Sequence, residues 1–365
     1  MVFITFAIYT ALVSEFLGKP MNRRTVRLTL YEGLLCLILA GTAVSILTPA
    51  DTASAAMSRD GSIAVVTGPG MHPPVAFHGK IDSQAPSLSN DTYVEKQWAL
   101  DRIHIPTTWT VKQQSEVVVA VLDTGMDTRH EDLAGTIMNS VNLTTCATAE
   151  DVFGHGTHIA GIITARTNNG MGIAGTTQHV KLLNVKIADD NGGCSSVDMA
   201  YGIVWAADHG ANVINVSLVM NLPSAALESA VDYAWGKGAV VIAATGNGIN
   251  PAKSYPALYR NCIAVVGANA NDQVGTGLAG KETIAAPGYN IFSTLPGNKY
   301  GYKSGSSMAA AYVSAAAALA FSTAQPGTGN LNGVIREQLW KSTDPIASGM
   351  LNYRYLNFEK LAATL

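Results

Sequence analysis

Val117-Val118-Val119-Ala120-Val121-Leu122 is an unbroken apolar run of strand length, and it ends abruptly in Asp123-Thr124-Gly125. A strand without polar alternation is covered on both faces, which is the habit of a parallel sheet. Further runs of this kind span Val180 to Ile187, Val213 to Leu218, Ala239 to Ala244 and Ile263 to Gly267. Helical segments are expected at His155 to Ala165, Val197 to Asp208 and Ala225 to Trp235, and again at Ser307 to Phe321 and Gly333 to Lys341. Strand alternating with helix implies right-handed crossovers. The expected fold class is therefore α/β, a mostly parallel doubly wound β-sheet with helices on both faces. Ligands of such sheets bind beyond the carboxyl ends of the strands, and Asp123 stands at one.

The composition is that of a chain able to bury a large core: 365 residues, 48% hydrophobic and only 13% charged. The 35 glycines suit a tightly packed protein with many turns. A formal net charge of −3 leaves no basic footprint, so nucleic acid is not an expected partner. Removing the N-terminal export segment leaves that sign unchanged.

That segment covers residues 1–55. Arg23, Arg24 and Arg27 make a basic start, Leu34 to Leu47 an apolar stretch, and Ala53-Ser54-Ala55 a small-residue cleavage site. Residues 1–20 read as an upstream start ahead of a true one at Met21; the rival is a membrane anchor, which both apolar segments are too short and impure to make. The mature protein is expected to be secreted, without a stable membrane partner, and monomeric. Residues 56–89 carry Pro69, Pro73, Pro74 and Pro86 with little periodicity, and read as a short pro-segment or linker. Ordered structure is expected from Asn90 onward, anchored by Tyr93, Trp98, Ile103, Ile105 and Trp109. Cys36 belongs to the export segment, so Cys146, Cys194 and Cys262 remain. Three cysteines allow at most one internal disulfide, of unassigned pairing.

Three short motifs carry the chemistry. Ser304-Gly305-Ser306-Ser307-Met308-Ala309 runs into an alanine-rich helical stretch, and a serine at a helix start faces outward where the dipole favours negative charge. Alone it is an ordinary helix cap. Phe153-Gly154-His155-Gly156-Thr157-His158 puts a histidine at the exposed start of another helix. The His155/His158 pair lacks the spacing and the glutamate of a zinc-protease helix. Asp, His and Ser together are what acyl transfer needs: a nucleophilic hydroxyl, an imidazole to take its proton, and a carboxylate to hold the imidazole. Ala243-Ala244-Thr245-Gly246-Asn247 adds an amide just past a buried strand, suited to stabilising an oxyanion.

With these motifs in view the chain resembles the subtilisin-like serine proteases over residues 90–365, and Asn90-Asp91-Thr92-Tyr93 resembles the thermitase branch. The resemblance implies Asp123 as orienting acid, His155 as general base, Ser307 as nucleophile and Asn247 as oxyanion donor. It implies a secreted endopeptidase acting on protein or peptide through an acyl-enzyme. It further implies that substrate lies as an extended strand between Gly192-Gly193-Cys194 and Ser217-Leu218-Val219. A structural Ca²⁺ is implied at Asp91, Asp132 and Asn169, an oxygen-only set suited to that ion. His158 reads as a packing residue.

The departures are specific. Val219-Met220 replaces the family's usual Gly-Gly beside the specificity pocket, which predicts a shallow pocket and small residues before the cut. Ala311 and Tyr312 replace the usual Pro-His after the nucleophile, and the loop at Val274 to Lys281 is shortened. The pro-region of roughly 35 residues is below the size of about 40 at which small domains fold alone, so folding is expected to lean on calcium or proceed unaided. The alternative is a catalytically weak or inactive subtilisin-like protein that holds a peptide without cleaving it.

Overall fold

The computed structural model describes residues 89–247, 254–275, 282–324, 330–348 and 351–365. The expected export segment with Cys36, and the pro-segment or linker except for Ser89, lie outside the described residues, as does most of the shortened loop. The strands are β1 (Val117–Asp123), β2 (Ile137–Asn142), β3 (Val180–Lys186), β4 (Val213–Val216), β5 (Val240–Ala244), β6 (Cys262–Ala268), β7 (Thr283–Pro287), β8 (Ile291–Leu295), β9 (Lys299–Lys303), β10 (Thr343–Ser348) and β11 (Leu351–Leu356). The α-helices are α1 (Trp98–Arg102), α2 (Gly156–Thr164), α3 (Ser196–Asp208), α4 (Ala225–Gly236), α5 (Ser306–Thr323), α6 (Leu331–Lys341) and α7 (Phe358–Ala362).

Nine strands form one sheet in the order β10-β11-β7-β6-β5-β4-β1-β3-β2, while β8 and β9 form a separate antiparallel hairpin. Every pairing in the large sheet is parallel except β10 with β11. The apolar run that starts at Val117 thus becomes a central strand. Val117, Val119 and Val121 pack on the face covered by α2 and α5; Ala120 and Leu122 face α3 and α4. Strand β1 is flanked by β3 on one side and β4 on the other, so the chain order reverses about it. A crevice opens at the carboxyl end of a strand at such a switch point. Asp123 is the last residue of β1.

Helix α5 is buried along all of its length, against β4, β5, β6 and β7, α2 and α6. Its alanines allow that, because small side chains let a helix lie close to neighbours on every side. Among the described residues it is the helix long and apolar enough to cross a membrane, and it is a core helix. It runs unbroken through Ala311, the position where the family usually has proline. The strands that the apolar-run criterion passes over lie mostly at the margins. Strand β2 is an edge strand with Met138, Asn139 and Ser140 exposed, β10 and β11 form the opposite edge, and β8–β9 stands outside the large sheet.

Candidate active site

Three chain segments converge at the carboxyl end of β1. Asp123 is 1% exposed, and its Oδ1 accepts from the backbone N–H of Thr124 at 2.7 Å and from His155 Nδ1 at 2.7 Å. That bond fixes the imidazole with Nδ1 protonated and Nε2 as the free acceptor. His155 stands at the N-cap position of α2 without a side-chain capping bond and is 5% exposed. Gly156, which follows it, is required by space. A Cβ there would stand 2.0 Å from the carbonyl oxygen of Gly125, so only glycine lets α2 start this close to the end of β1.

A carboxylate that the sequence reading did not single out ties these two segments together. Asp151 Oδ1 accepts from Thr124 Oγ1 at 2.8 Å and from the Gly154 N–H at 2.7 Å. Its Oδ2 accepts from the Thr157 N–H at 2.8 Å and from Thr157 Oγ1 at 2.7 Å. Thr124 Oγ1 in turn accepts from the Gly156 N–H at 3.0 Å. Asp151 therefore holds the residue after Asp123 and the residues on both sides of His155. An acidic residue shortly before a helix start is common, because the dipole favours it, and nothing in the sequence marks this one as different. Lys186 was missed for a similar reason. It is fully buried at the end of β3, donates to the Thr124 carbonyl and pairs with Asp190 at 2.9 Å, so it holds the Asp123 turn from the opposite side.

Ser307 lies in the first turn of α5, 8% exposed. Its hydroxyl donates to the Ser217 carbonyl at 3.0 Å, while Ser217 Oγ donates to the Ser307 carbonyl at 3.2 Å. Asn215 Nδ2 donates to Ser217 Oγ at 2.9 Å, and Ser314 Oγ donates to Asn215 Oδ1 at 2.9 Å. This buried polar chain clamps the start of α5 to the end of β4. Among the described residues His155 Nε2 has no hydrogen-bond partner, Ser307 included.

Asn247 follows β5 and is exposed. Its Oδ1 accepts from the Ser306 N–H at 2.8 Å, which leaves Nδ2 as a donor beside the start of α5. Gly305 fits there for two reasons: its φ of +151° suits glycine, and a Cβ would meet Asn247 Nδ2 at 2.8 Å.

The two expected substrate segments are both at the sheet's carboxyl end. Gly192 and Gly193 lie in a loop closed by Asp189, whose N–H donates to the Gly193 carbonyl at 2.8 Å, and Cys194 bridges Ala188. Ser217 and Leu218 continue from β4, and Met220 exchanges backbone hydrogen bonds with Tyr255. The Val219 methyls lie 3.6 and 3.8 Å from where a Gly246 Cβ would stand. The valine thus occupies the space between this segment and the one bearing Asn247.

His158 is fully buried. Its Nε2 donates to the carbonyls of Ile291 and Gly301 at 3.1 and 3.2 Å, and burial, aided by the charges of Lys303 and His155, pushes its pKa down to about 3. It is a neutral packing residue that pins α2 to the β8–β9 hairpin. Cys146, Cys194 and Cys262 are all free thiols. Burial pushes Cys262 up to about 12 and raises Cys194 as well, so neither is a ready nucleophile.

Asp91, Asp132 and Asn169 come together away from these residues. Asp91 accepts from the backbone of Asn168 and Asn169 at 2.9 and 3.0 Å and from the Ser89 hydroxyl. Asp132 accepts from Asn169 Nδ2 and from the Ile173 N–H, both at 2.8 Å. Burial first, with the charge of Asp91 adding to it, raises the Asp132 pKa. Two buried carboxylates that disfavour each other suit a hard cation. Here the Asn169 amide turns its nitrogen toward Asp132, and among the described residues no group of three or more His, Cys, Asp or Glu is placed to hold a metal.

With that geometry established, comparison with known sequences defines the class. The subtilase family model matches residues 114–355, and the chain belongs to that family of serine-type endopeptidases. It is 40% identical over 234 residues to thermitase of Thermoactinomyces vulgaris, an alignment covering 63% of this chain and 84% of thermitase. It is 38% identical over 271 residues to a thermophilic serine proteinase of Bacillus sp. strain AK1, covering 73% of this chain and 66% of that protein. Subtilisin Savinase of Lederbergia lenta is 40% identical over 230 residues, covering 61% and 82%.

Proposed function

We propose that this chain is an exported serine endopeptidase that cleaves protein or peptide substrates through a seryl acyl-enzyme. The observation that carries the reading is the 2.7 Å bond from His155 Nδ1 to the buried Asp123 carboxylate, with Ser307 at a helix start beside the same end of the sheet. Substrate binding turns the Ser307 hydroxyl from the Ser217 carbonyl to His155 Nε2. The imidazole takes the proton as Oγ attacks the scissile carbonyl, and Asp123 stabilises the imidazolium. Asn247 Nδ2 and the Ser307 N–H, one of the unpaired donors of the first helical turn, bind the oxyanion. The imidazolium then protonates the leaving amine, and water, activated by the same base, releases the acid product.

Within this reading Val219 limits the pocket for the residue before the cut to small side chains. Asp91 and Asp132 with the Asn169 side-chain oxygen would hold a structural Ca²⁺ that offsets the two carboxylate charges, that oxygen leaving its bond from the Met171 N–H to face the ion. Cleavage of the export segment near Ala55 delivers the peptidase outside the cell.

The test is reaction of the purified full-length chain with a fluorophosphonate, read by mass spectrometry beside Ser307→Ala and His155→Ala. A single adduct on Ser307, absent from the first variant and strongly slowed in the second, is expected. A folded protein that takes no adduct overturns the reading in favour of a peptide-binding protein. The observation on that side is the Ser307 hydroxyl held by the Ser217 carbonyl.

A further inference from the structure

Lys303 is the last residue of β9, four positions before Ser307, and it is half-buried. Among the described residues its ammonium forms no ion pair and no hydrogen bond; its aromatic neighbour is Phe153, with Nζ 5.8 Å from the ring centroid. Phe153 precedes His155 by two residues, and its ring packs on Gly192. The turn that joins β8 to β9 packs on the same loop, since Pro296 lies 3.2 Å from where a Gly154 Cβ would stand. Charged and titratable groups act on the ammonium from two elements besides its own: Asp123 and Asp151 attract it, and it disfavours a charge on His158. Burial outweighs the two carboxylates and lowers the lysine pKa. Asp151 is occupied by its four hydrogen bonds, and Asp123 bonds Thr124 and His155 through Oδ1 while its Oδ2 is buried without a partner; Lys303 bonds neither carboxylate.

In the peptidase reading two unlike sets of residues meet at Ser307: Ser217, bonded to Ser307, and Asn247, bonded to Ser306, with Val219 beside Gly246; and, on the His155 flank, the loop whose Phe153 lies against Lys303. The imidazole must reach the leaving nitrogen to protonate it, so the part of the substrate beyond the cut emerges on the His155 flank. A partly desolvated ammonium without a hydrogen-bonded partner costs free energy that an incoming carboxylate offsets.

We infer that Lys303 is a specificity-determining residue that selects an acidic side chain at the position immediately after the cleaved bond. This rests on the peptidase reading above and adds a substrate class to it: peptides with a small residue before the cut and Asp or Glu after it.

The experiment compares kcat/KM for pairs of peptides that differ only in Glu or Gln after the cut, in the full-length enzyme and in Lys303→Met and Lys303→Glu. A Glu-to-Gln ratio of about fivefold is expected at low salt, falling as salt screens the pair, near one in Lys303→Met and inverted in Lys303→Glu. Fluorophosphonate labelling of Ser307 in each variant reports that the site is assembled independently of the ratio. Cleavage with a ratio near one in the unaltered enzyme overturns the inference and leaves the peptidase reading standing. An acidic preference that survives Lys303→Met, or one confined to the position before the cut, also overturns it. Absence of both labelling and cleavage from a folded protein overturns the peptidase reading itself.

Discussion

Asp151 uses both carboxylate oxygens on the two segments that meet at the candidate active site, so its effect on activity works through the placement of His155. Misplacing a catalytic group by about 1 Å costs on the order of 10²-fold. Asp151→Ala is therefore expected to lower kcat by about that factor with little change in KM. Asp151→Asn is expected to recover part of it, since an amide oxygen still accepts on one side while the NH₂ cannot accept from Thr157. A loss confined to KM, or full activity in Asp151→Ala, would contradict this. Val219 makes a complementary case, because it acts by filling space beside Gly246. Val219→Gly is expected to shift cleavage toward large apolar residues before the cut, by about tenfold in kcat/KM for Phe over Ala, as read from a peptide library. A strong Phe or Leu preference already present in the unaltered enzyme would remove the basis for the prediction.

At the level of elements, the junction of α2 with the β8–β9 hairpin depends on a neutral histidine. His158 donates one N–H to two carbonyls of the hairpin, and its Nδ1 is buried without a partner. Its folded pKa of about 3 lies below the ordinary value of 6.5, so the unfolded chain binds more protons between those limits. The sign follows directly: the stabilisation is complete above about pH 6.5 and is lost as pH falls toward 3. His158→Gln keeps a donor without the titration. Its Tm deficit relative to the unaltered protein is expected to be smaller at pH 4.5 than at pH 8, and a deficit equal at both would show that His158 does not drive the acid sensitivity. The elements themselves were largely legible in the sequence. The apolar runs became β1, β3, β4, β5 and β6, and the five expected helices formed within a few residues of their predicted ends. Strands β2 and β10 were not legible, because an edge strand lacks the two-sided apolar pattern, and the inner strands β7 and β11 were passed over because Thr283 and Pro287 bound only three apolar residues in the one and Asn352 and Arg354 interrupt the other. The β8–β9 hairpin was passed over because it belongs to no alternating strand and helix unit.

For the molecule as a whole, two buried carboxylates at Asp91 and Asp132 bring the N-terminal arm of the described domain against the loop at 168–173. In the proposed reading a cation bound at that point would couple the arm to the body. Calcium well above its dissociation constant stabilises by about 2–3 kcal/mol, so removal with a chelator is expected to lower Tm by roughly 5 °C or more. An unchanged Tm would count against the ion, and Asp132→Asn should abolish the difference between the two conditions. What the sequence determined by itself was local: the strand and helix periods, the parallel α/β class, and the Asp, His, Ser and Asn residues set in glycine-rich turns. Such features rest on residues close together in the chain, where hydrophobic period and turn chemistry act directly. What only the tertiary structure decided was relational. Asp151 became a strut because β1 and α2 meet, Ser217 became the partner of Ser307 because β4 lies against α5, and Lys303 came to lie beside Phe153 because the hairpin packs on the His155 loop. These juxtapositions depend on which surfaces bury one another across long stretches of chain, and no local pattern encodes that.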